Sequence, residues 1–115
     1  MGELGVELCG IRLANPLILA SGPLSCNAVG IRAAFDAGAA AVVTKTIRPE
    51  ATQNSVPHIL ALGRGSMLNT EGWSDLPARQ WIEHELPALA ERSGVLIAST
   101  GHTPREVAQL AGPLA

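Results

Sequence analysis

The chain of 115 residues has few aromatic and few basic residues: one Phe, two Trp, no Tyr and a formal net charge of -2. Nucleic-acid binding relies on a basic surface and on aromatic side chains that stack with bases. No apolar run reaches the roughly 18 residues that a membrane-spanning helix needs. The N-terminus also lacks the basic and apolar regions of a signal peptide. We therefore expect a soluble cytoplasmic protein with neither a nucleic acid nor a membrane as partner.

Cysteine is equally scarce, since the chain has only Cys9 and Cys26. Two cysteines are too few for a disulfide framework, and no Cys/His spacing predicts a metal site. Apolar residues, in contrast, make up 47% of the chain and charged residues 16%. This composition predicts a buried core in one small domain, or in a part of a larger one.

Three short apolar runs, at 17–20, 41–45 and 95–99, have the length of buried strands in a parallel sheet. The segment 27–38 separates the first two and has helical periodicity, with Gly38 as the expected helix end. The segment 4–13, LGVELCGIRL, alternates loosely around Gly5 and Gly10 and is typical of a short β-hairpin. The sequence thus predicts an α/β fold in which β/α units follow an N-terminal hairpin.

The stretch from Ile47 to Ser66 contains two prolines and shows no periodicity, which predicts a long functional loop. Asp75 is the expected cap of a helix that carries Trp81, and Pro87 predicts a kink in that helix or two short helices. Thr103, followed by Pro104, predicts the start of a last helix.

Each of the three predicted strands ends in small or hydroxyl-bearing residues. Carboxyl ends of parallel strands lie on one face, where ligands bind in α/β folds. The expected site residues on this face are Ala20, Ser21 and Gly22 after the first strand, Lys45 and Thr46 after the second, and Ser99 after the third. Because Ser, Thr and Gly are also ordinary turn formers, the shared pattern carries the prediction rather than any single cluster.

Lys45 is the only lysine in the chain. At a strand end its ammonium can hold an anionic group or stabilise a negatively charged reduced cofactor. A lysine that extends along the sheet edge to solvent is the alternative, and the pattern alone leaves both open.

The end of the long loop brings together polar and aromatic side chains, in the order Asn69, Thr70, Glu71, Gly72 and Trp73. An amide and a carboxylate two residues apart in an extended stretch can hydrogen-bond the edge of a small heterocycle. Loop, capping and packing roles are the alternative. The three histidines have no partner at ligand or triad spacing and are assigned no chemistry, and the glycines around Arg64 are too weak a pattern for a phosphate-binding loop.

Four blocks make the sequence recognisable: GIRLANPLILASGP, GAAAVVTKTIRPE, MLNTEGWSD and VLIAST. Together they resemble the N-terminal blocks of the dihydroorotate dehydrogenase family, which includes the flavin domain of dihydropyrimidine dehydrogenase. The resemblance implies the first three β/α units of an FMN-binding (β/α)8 TIM barrel, so that residues 1–115 form the N-terminal part of a single domain. It further implies an oxidoreductase of pyrimidine metabolism.

The resemblance also implies roles for the site residues. Ala20, Ser21, Gly22, Lys45, Thr46 and Ser99 would bind FMN, whereas Lys45, Asn69, Thr70, Glu71, Gly72 and Trp73 would bind a pyrimidine. The expected reaction oxidises dihydroorotate to orotate by hydride transfer to the flavin, and the alternative is reduction of uracil or thymine. The catalytic Cys or Ser of the family follows the fourth strand and would lie beyond Ala115, so we expect a fragment that is inactive by itself.

Several residues depart from the family pattern. Gln53-Asn54-Ser55 stands where Gly-Asn-Pro is usual, and Pro57-His58 where Pro-Arg is usual. Glu71 looks closer to the dihydropyrimidine dehydrogenase branch. A non-catalytic barrel module and a barrel without flavin are the rival interpretations, and the residues leave open whether the intact protein is a homodimer or has an electron-transfer subunit.

Overall fold

The computed structural model describes residues 4–115. It opens with an antiparallel hairpin of β1 (Val6–Leu8) and β2 (Ile11–Leu13). A parallel three-stranded sheet follows, formed by β3 (Ile18–Leu19), β4 (Ala41–Val43) and β7 (Val95–Ile97) in the order β3-β4-β7. Since both pairings are parallel, the carboxyl ends of the three strands lie on one face of the sheet, as predicted.

Helix α1 (Ala28–Asp36) connects β3 to β4 and lies within the predicted segment. Its N-cap is Asn27, whose side chain accepts a hydrogen bond from the Gly30 N–H at 2.9 Å. Gly38 follows the helix with a φ of 103°, a left-handed conformation that glycine adopts without strain. The cap and the glycine explain why the helix begins and ends where the periodicity does.

The burial of β3 differs from the prediction. Leu17, Ile18 and Ala20 are exposed, whereas the apolar run predicted a strand buried on both faces. Within the described residues β3 pairs with β4 alone, so its other edge has no neighbouring strand to cover it. The central strand β4, flanked on both sides, has its first two residues fully buried.

The predicted loop between Ile47 and Ser66 contains a regular element that the sequence analysis missed. Strands β5 (Ile59–Gly63) and β6 (Ser66–Asn69) form a second antiparallel hairpin. Its turn uses Arg64 and Gly65, which both have positive φ, of 49° and 74°. Two consecutive positive φ angles match the twist of the flanking strands in a two-residue hairpin turn. The glycine pattern around Arg64 thus serves a turn.

The helix after the hairpin begins later than predicted and is irregular. It consists of α2 (Ala78–Gln80), a π-helical turn (Trp81–Glu85) and α3 (Leu86–Ala88). Pro77, not Asp75, occupies the N-cap position. Pro87 has no N–H for the regular helical hydrogen bond, and the turn before it is widened to π geometry. The helix is interrupted as expected, but it consists of three short pieces where a kink or two helices were predicted.

The last helix, α4 (Pro104–Leu114), begins where the sequence predicted. Thr103 Oγ1 accepts a hydrogen bond from the Glu106 N–H at 3.3 Å. The core lies between the parallel sheet and the helices, and its buried residues come from every layer: Ala28, Ile31, Phe35, Val42, Ile47, Ala78, Trp81, Leu89 and Leu110. Among residues 4–115, no helix has the length and apolar character needed to span a membrane.

Candidate functional site

The ends of the first two parallel strands and the segment after β6 enclose a cleft of about 560 Å³. It is lined by residues that the sequence analysis selected together with one proline: Ser21, Gly22, Pro23, Lys45, Thr46, Asn69, Glu71, Gly72 and Trp73. The volume lies in the range of small-molecule sites. Ala20, Thr70 and Ser99 do not line the cleft.

Ser99 contacts Thr46, which lines the cleft. Its hydroxyl is 2.9 Å from Thr46 Oγ1, and its backbone N–H donates to Thr44 Oγ1 at 3.0 Å. These hydrogen bonds tie the end of β7 to the end of β4. The third strand therefore supports the cleft through Thr46.

Lys45 and Glu71 form a buried ion pair at the cleft. Lys45 Nζ lies 2.7 Å from Glu71 Oε2, and each side chain is 4% exposed. A charge this deeply buried needs a partner, and the pair explains how a lysine lies at the mouth of the core. The sequence placed both residues at the site but did not predict their pairing.

Asn69 is partly committed to the backbone. Its Oδ1 accepts a hydrogen bond from the Glu71 N–H at 2.8 Å. What remains available to a ligand is its Nδ2 group, which is a donor.

Small residues form the opposite wall of the cleft, and a Cβ added at Gly22 would meet no atom within 4 Å. A flat ring can therefore approach the backbone there, which is the fit that an isoalloxazine ring requires.

Trp73 is held between two side chains that the sequence analysis had not connected with it. The Arg48 guanidinium lies 4.9 Å from its ring centroid, a cation–π distance. The His102 ring lies 4.6 Å away on a tilted plane. Arg48 also donates to Glu106 Oε1 at 2.7 Å, and this hydrogen bond lowers the pKa of Glu106 and raises the pKa of Arg48.

His58 was assigned no chemistry, yet its Nε2 lies 3.8 Å from Glu71 Oε1. Nothing in the spacing along the chain indicates this contact, because it depends on the unpredicted β5–β6 hairpin. Arg48 could have been found, because it follows the second strand end by only a few residues. Cys26 is half-buried, and desolvation raises the pKa of its thiol, which is typical of an unreactive cysteine. Residues 4–115 contain no cluster of three metal-ligating side chains.

The sequence of the chain matches a known protein family and several of its members. The family model described as dihydroorotate dehydrogenase matches residues 3–112. The chain is similar to the "Dihydroorotate dehydrogenase B (NAD(+)), catalytic subunit" of Thermoplasma acidophilum, with 41% identity over 95 residues, 82% of this chain and 31% of the relative. It is also similar to the protein of that name from Pyrococcus horikoshii, with 39% identity over 96% of this chain and 36% of the relative.

A more distant relative is the "Dihydropyrimidine dehydrogenase (NADP(+)), chloroplastic" of Arabidopsis thaliana, with 31% identity over 64% of this chain and 19% of the relative. The chain therefore spans about a third of the length, 31% and 36%, of the two dihydroorotate dehydrogenase B relatives. The matched family is one of flavin-dependent TIM-barrel oxidoreductases of pyrimidine metabolism. With a family match across almost all of its residues, the chain belongs to the dihydroorotate dehydrogenase family.

Proposed function

We propose that this protein is an FMN-dependent oxidoreductase that oxidises dihydroorotate to orotate. The observation that carries the proposal is the cleft, in which Lys45 and Thr46 of one wall face Asn69 and Trp73 of the other. Such a cleft offers a small-residue surface for a flat cofactor and polar groups for a small heterocycle. Bound FMN would supply the acceptor for a hydride from the substrate.

The strand ends would form the flavin side of this site. The backbones of Ala20, Ser21 and Gly22 would lie along the ring, and Lys45 with Thr46 would contact it. The Lys45 ammonium would stabilise negative charge as it develops on the reduced ring, which is the kind of electrostatic stabilisation that speeds such steps. Ser99 would support this wall through the 2.9 Å contact between its hydroxyl and Thr46 Oγ1.

The segment 69–73 would form the pyrimidine side. Asn69 would donate a hydrogen bond from Nδ2 to a ring carbonyl, because its Oδ1 already accepts from the Glu71 N–H. Thr70, Glu71, Gly72 and Trp73 would complete this side. Lys45 would serve both sides, since it lines the same cleft and pairs with Glu71.

We also propose that residues 4–115 are the first three β/α units of an eight-unit barrel. The parallel order β3-β4-β7 supports this assignment, as does the unpaired outer edge of β3, which a closed barrel would cover. The catalytic acid or base and the flavin phosphate site would then belong to other units. The relatives are named as catalytic subunits, which supports a second subunit in the intact protein, and we propose that this subunit transfers electrons.

Glu71 favours a second candidate, reduction of uracil or thymine. Its carboxylate lines the cleft and already neutralises Lys45. Dihydroorotate is an anion, and its binding would be stabilised less by a lysine whose charge is already neutralised. A neutral pyrimidine has N–H groups that can donate hydrogen bonds to a carboxylate. The similarity to a dihydropyrimidine dehydrogenase supports the same alternative.

One experiment on the full-length protein tests the proposal and separates the two candidates. The purified protein should contain FMN or take it up. Under anaerobic conditions dihydroorotate should then reduce the bound flavin, whereas dihydrouracil should do so if the second candidate is correct. A protein that stays colourless after incubation with FMN would contradict both.

A further inference from the structure

The Asn54 side chain contacts the backbone on both sides of the Gly72–Trp73 peptide. Its Oδ1 accepts a hydrogen bond from the Gly72 N–H at 2.6 Å, and its Nδ2 donates to the Trp73 carbonyl at 3.0 Å. Nδ2 also donates to Asp75 Oδ1. Both N–H groups of the amide and its carbonyl oxygen are therefore engaged by one short segment.

A side-chain amide suits this pattern, because it carries two N–H donors and a carbonyl acceptor on one planar group. The pattern also requires a small residue at position 72. A Cβ added at Gly72 would lie 3.2 Å from Asn54 Oδ1, tighter than an ordinary contact, and 3.6 Å from Thr52 Cγ2. Gly72 thus permits the close approach that the short hydrogen bond needs.

Two backbone hydrogen bonds continue the same connection. The Thr52 N–H donates to the Ser74 carbonyl at 2.9 Å, and the Ser74 N–H donates to the Thr46 carbonyl at 3.0 Å. The segment 72–75 is therefore attached to the chain that follows β4. Asn54 provides the side-chain part of that attachment, next to the residues that line the cleft.

We propose that Asn54 is a positioning residue that fixes the segment 69–75 and thereby sets the place of Asn69 and Glu71 at the cleft. Asn54 itself does not line the cleft, so it acts through the backbone of Gly72 and Trp73. The placement of that segment follows from the contacts alone. Its consequence for a pyrimidine rests on the proposed function.

Removal of the amide should release the segment without disturbing the strand ends. Asn54→Ala should raise the KM for the pyrimidine about tenfold and change kcat by less than about threefold, the pattern of lost uniform binding. FMN affinity should be unchanged, because Ser21, Gly22 and Thr46 belong to the other wall. Gln53→Ala is the matched control, since Gln53 is the exposed neighbour of Asn54.

A second, conservative test swaps the amide of Asn54 and the carboxylate of Asp75 between their two positions. Asn54→Asp keeps an acceptor for the Gly72 N–H, but it loses the donor to Trp73 and places a carboxylate against Asp75. Combination with Asp75→Asn restores a donor and acceptor between the two side chains. The KM should therefore rise in N54D and fall again, at least in part, in N54D/D75N. These two variants also test the positioning role of Asn54 if Asn54→Ala does not fold.

Hydrogen exchange of the Gly72 amide tests the positioning role independently of any activity. In the full-length protein the Gly72 N–H should exchange at least about tenfold faster in Asn54→Ala than in the parent and the Gln53→Ala control, because a satisfied hydrogen bond is removed. Equal exchange in Asn54→Ala and the parent would overturn the positioning role. Faster exchange with an unchanged pyrimidine KM would overturn the link to the substrate, and absence of any flavin chemistry would contradict the proposed function alone.

Discussion

The ammonium of Lys45 lies 2.7 Å from the carboxylate of Glu71, and both side chains are 4% exposed. The pair joins the end of the central parallel strand to the segment that follows the β5–β6 hairpin. Both walls of the cleft are therefore connected by a buried charge pair, and the pair sets the net charge that a ligand meets. Its stability and its electrostatic effect can be tested separately.

The first prediction concerns the stability of this pair. Glu71→Leu leaves the Lys45 ammonium buried without a partner and should lower the free energy of unfolding by about 3–5 kcal/mol. The double variant Lys45→Met/Glu71→Leu removes both charges and should recover most of that loss. Urea unfolding of the parent, the single variant and the double variant provides the measurement. A single variant as stable as the parent would show that the charge is not buried.

The second prediction concerns the contact between Trp81 and Ser74, both of which are fully buried. Ser74 Oγ accepts hydrogen bonds from Trp81 Nε1 at 3.0 Å and from the Leu76 N–H at 3.1 Å. Ser74→Ala leaves the buried Trp81 Nε1–H and the partly buried Leu76 N–H without an acceptor. The loss should cost about 1–3 kcal/mol for the buried donor and less for the partly buried one. Trp81→Phe in the same background removes one of them, so the two effects should be less than additive in thermal unfolding. Strict additivity would mean that the hydrogen bond contributes nothing.

The third prediction concerns acid stability. The hydrogen bond from Arg48 lowers the pKa of Glu106, so the folded state holds the carboxylate ionised more firmly than the unfolded state does. The resulting stabilisation is fully present above the ordinary pKa of a glutamate and is lost as the pH falls through the lowered value. Glu106→Gln should remove this component, so its melting temperature should fall less than that of the parent between neutral and acidic pH. Parallel curves for the two proteins would contradict the prediction.

The fourth prediction concerns ligand binding by Asn69. Asn69→Ala removes the Nδ2 donor and also the acceptor for the Glu71 N–H. It should weaken pyrimidine binding by about tenfold, the value of one hydrogen bond to a ligand, and leave FMN affinity unchanged. Equilibrium titration with orotate and with uracil measures the first effect. Equal affinities in the variant and the parent would exclude Asn69 from the site.

Much of the fold could be predicted from the sequence because the signals are local. The apolar run that ends at Lys45, the cap at Thr103 and the glycine at position 38 each specify a boundary through the residue's own conformation or hydrogen bond. The position of Lys45 at the ligand face follows from the same reasoning. These features do not depend on which other segment packs nearby.

The remaining features depend on contacts between distant segments. The β5–β6 hairpin has exposed apolar residues on both strands, so it shows no alternation that would predict it. The exposure of β3 depends on the absence of an outer neighbour among the described residues. The path of the hairpin determines where the side chains of Glu71 and His58 lie. For this reason neither the Lys45–Glu71 ion pair nor the contact between His58 and Glu71 could be predicted from residue spacing along the chain.

The most direct test of the central claim measures the role of Lys45 in the reduction of bound FMN. Stopped-flow reduction by dihydroorotate is compared in the full-length parent, in Lys45→Met/Glu71→Leu and in Asn69→Ala. The double variant should be reduced at least about a hundredfold more slowly at saturating substrate, because the Lys45 ammonium is lost, whereas Asn69→Ala should mainly require more substrate. Reduction of the double variant at the parent rate would contradict the account.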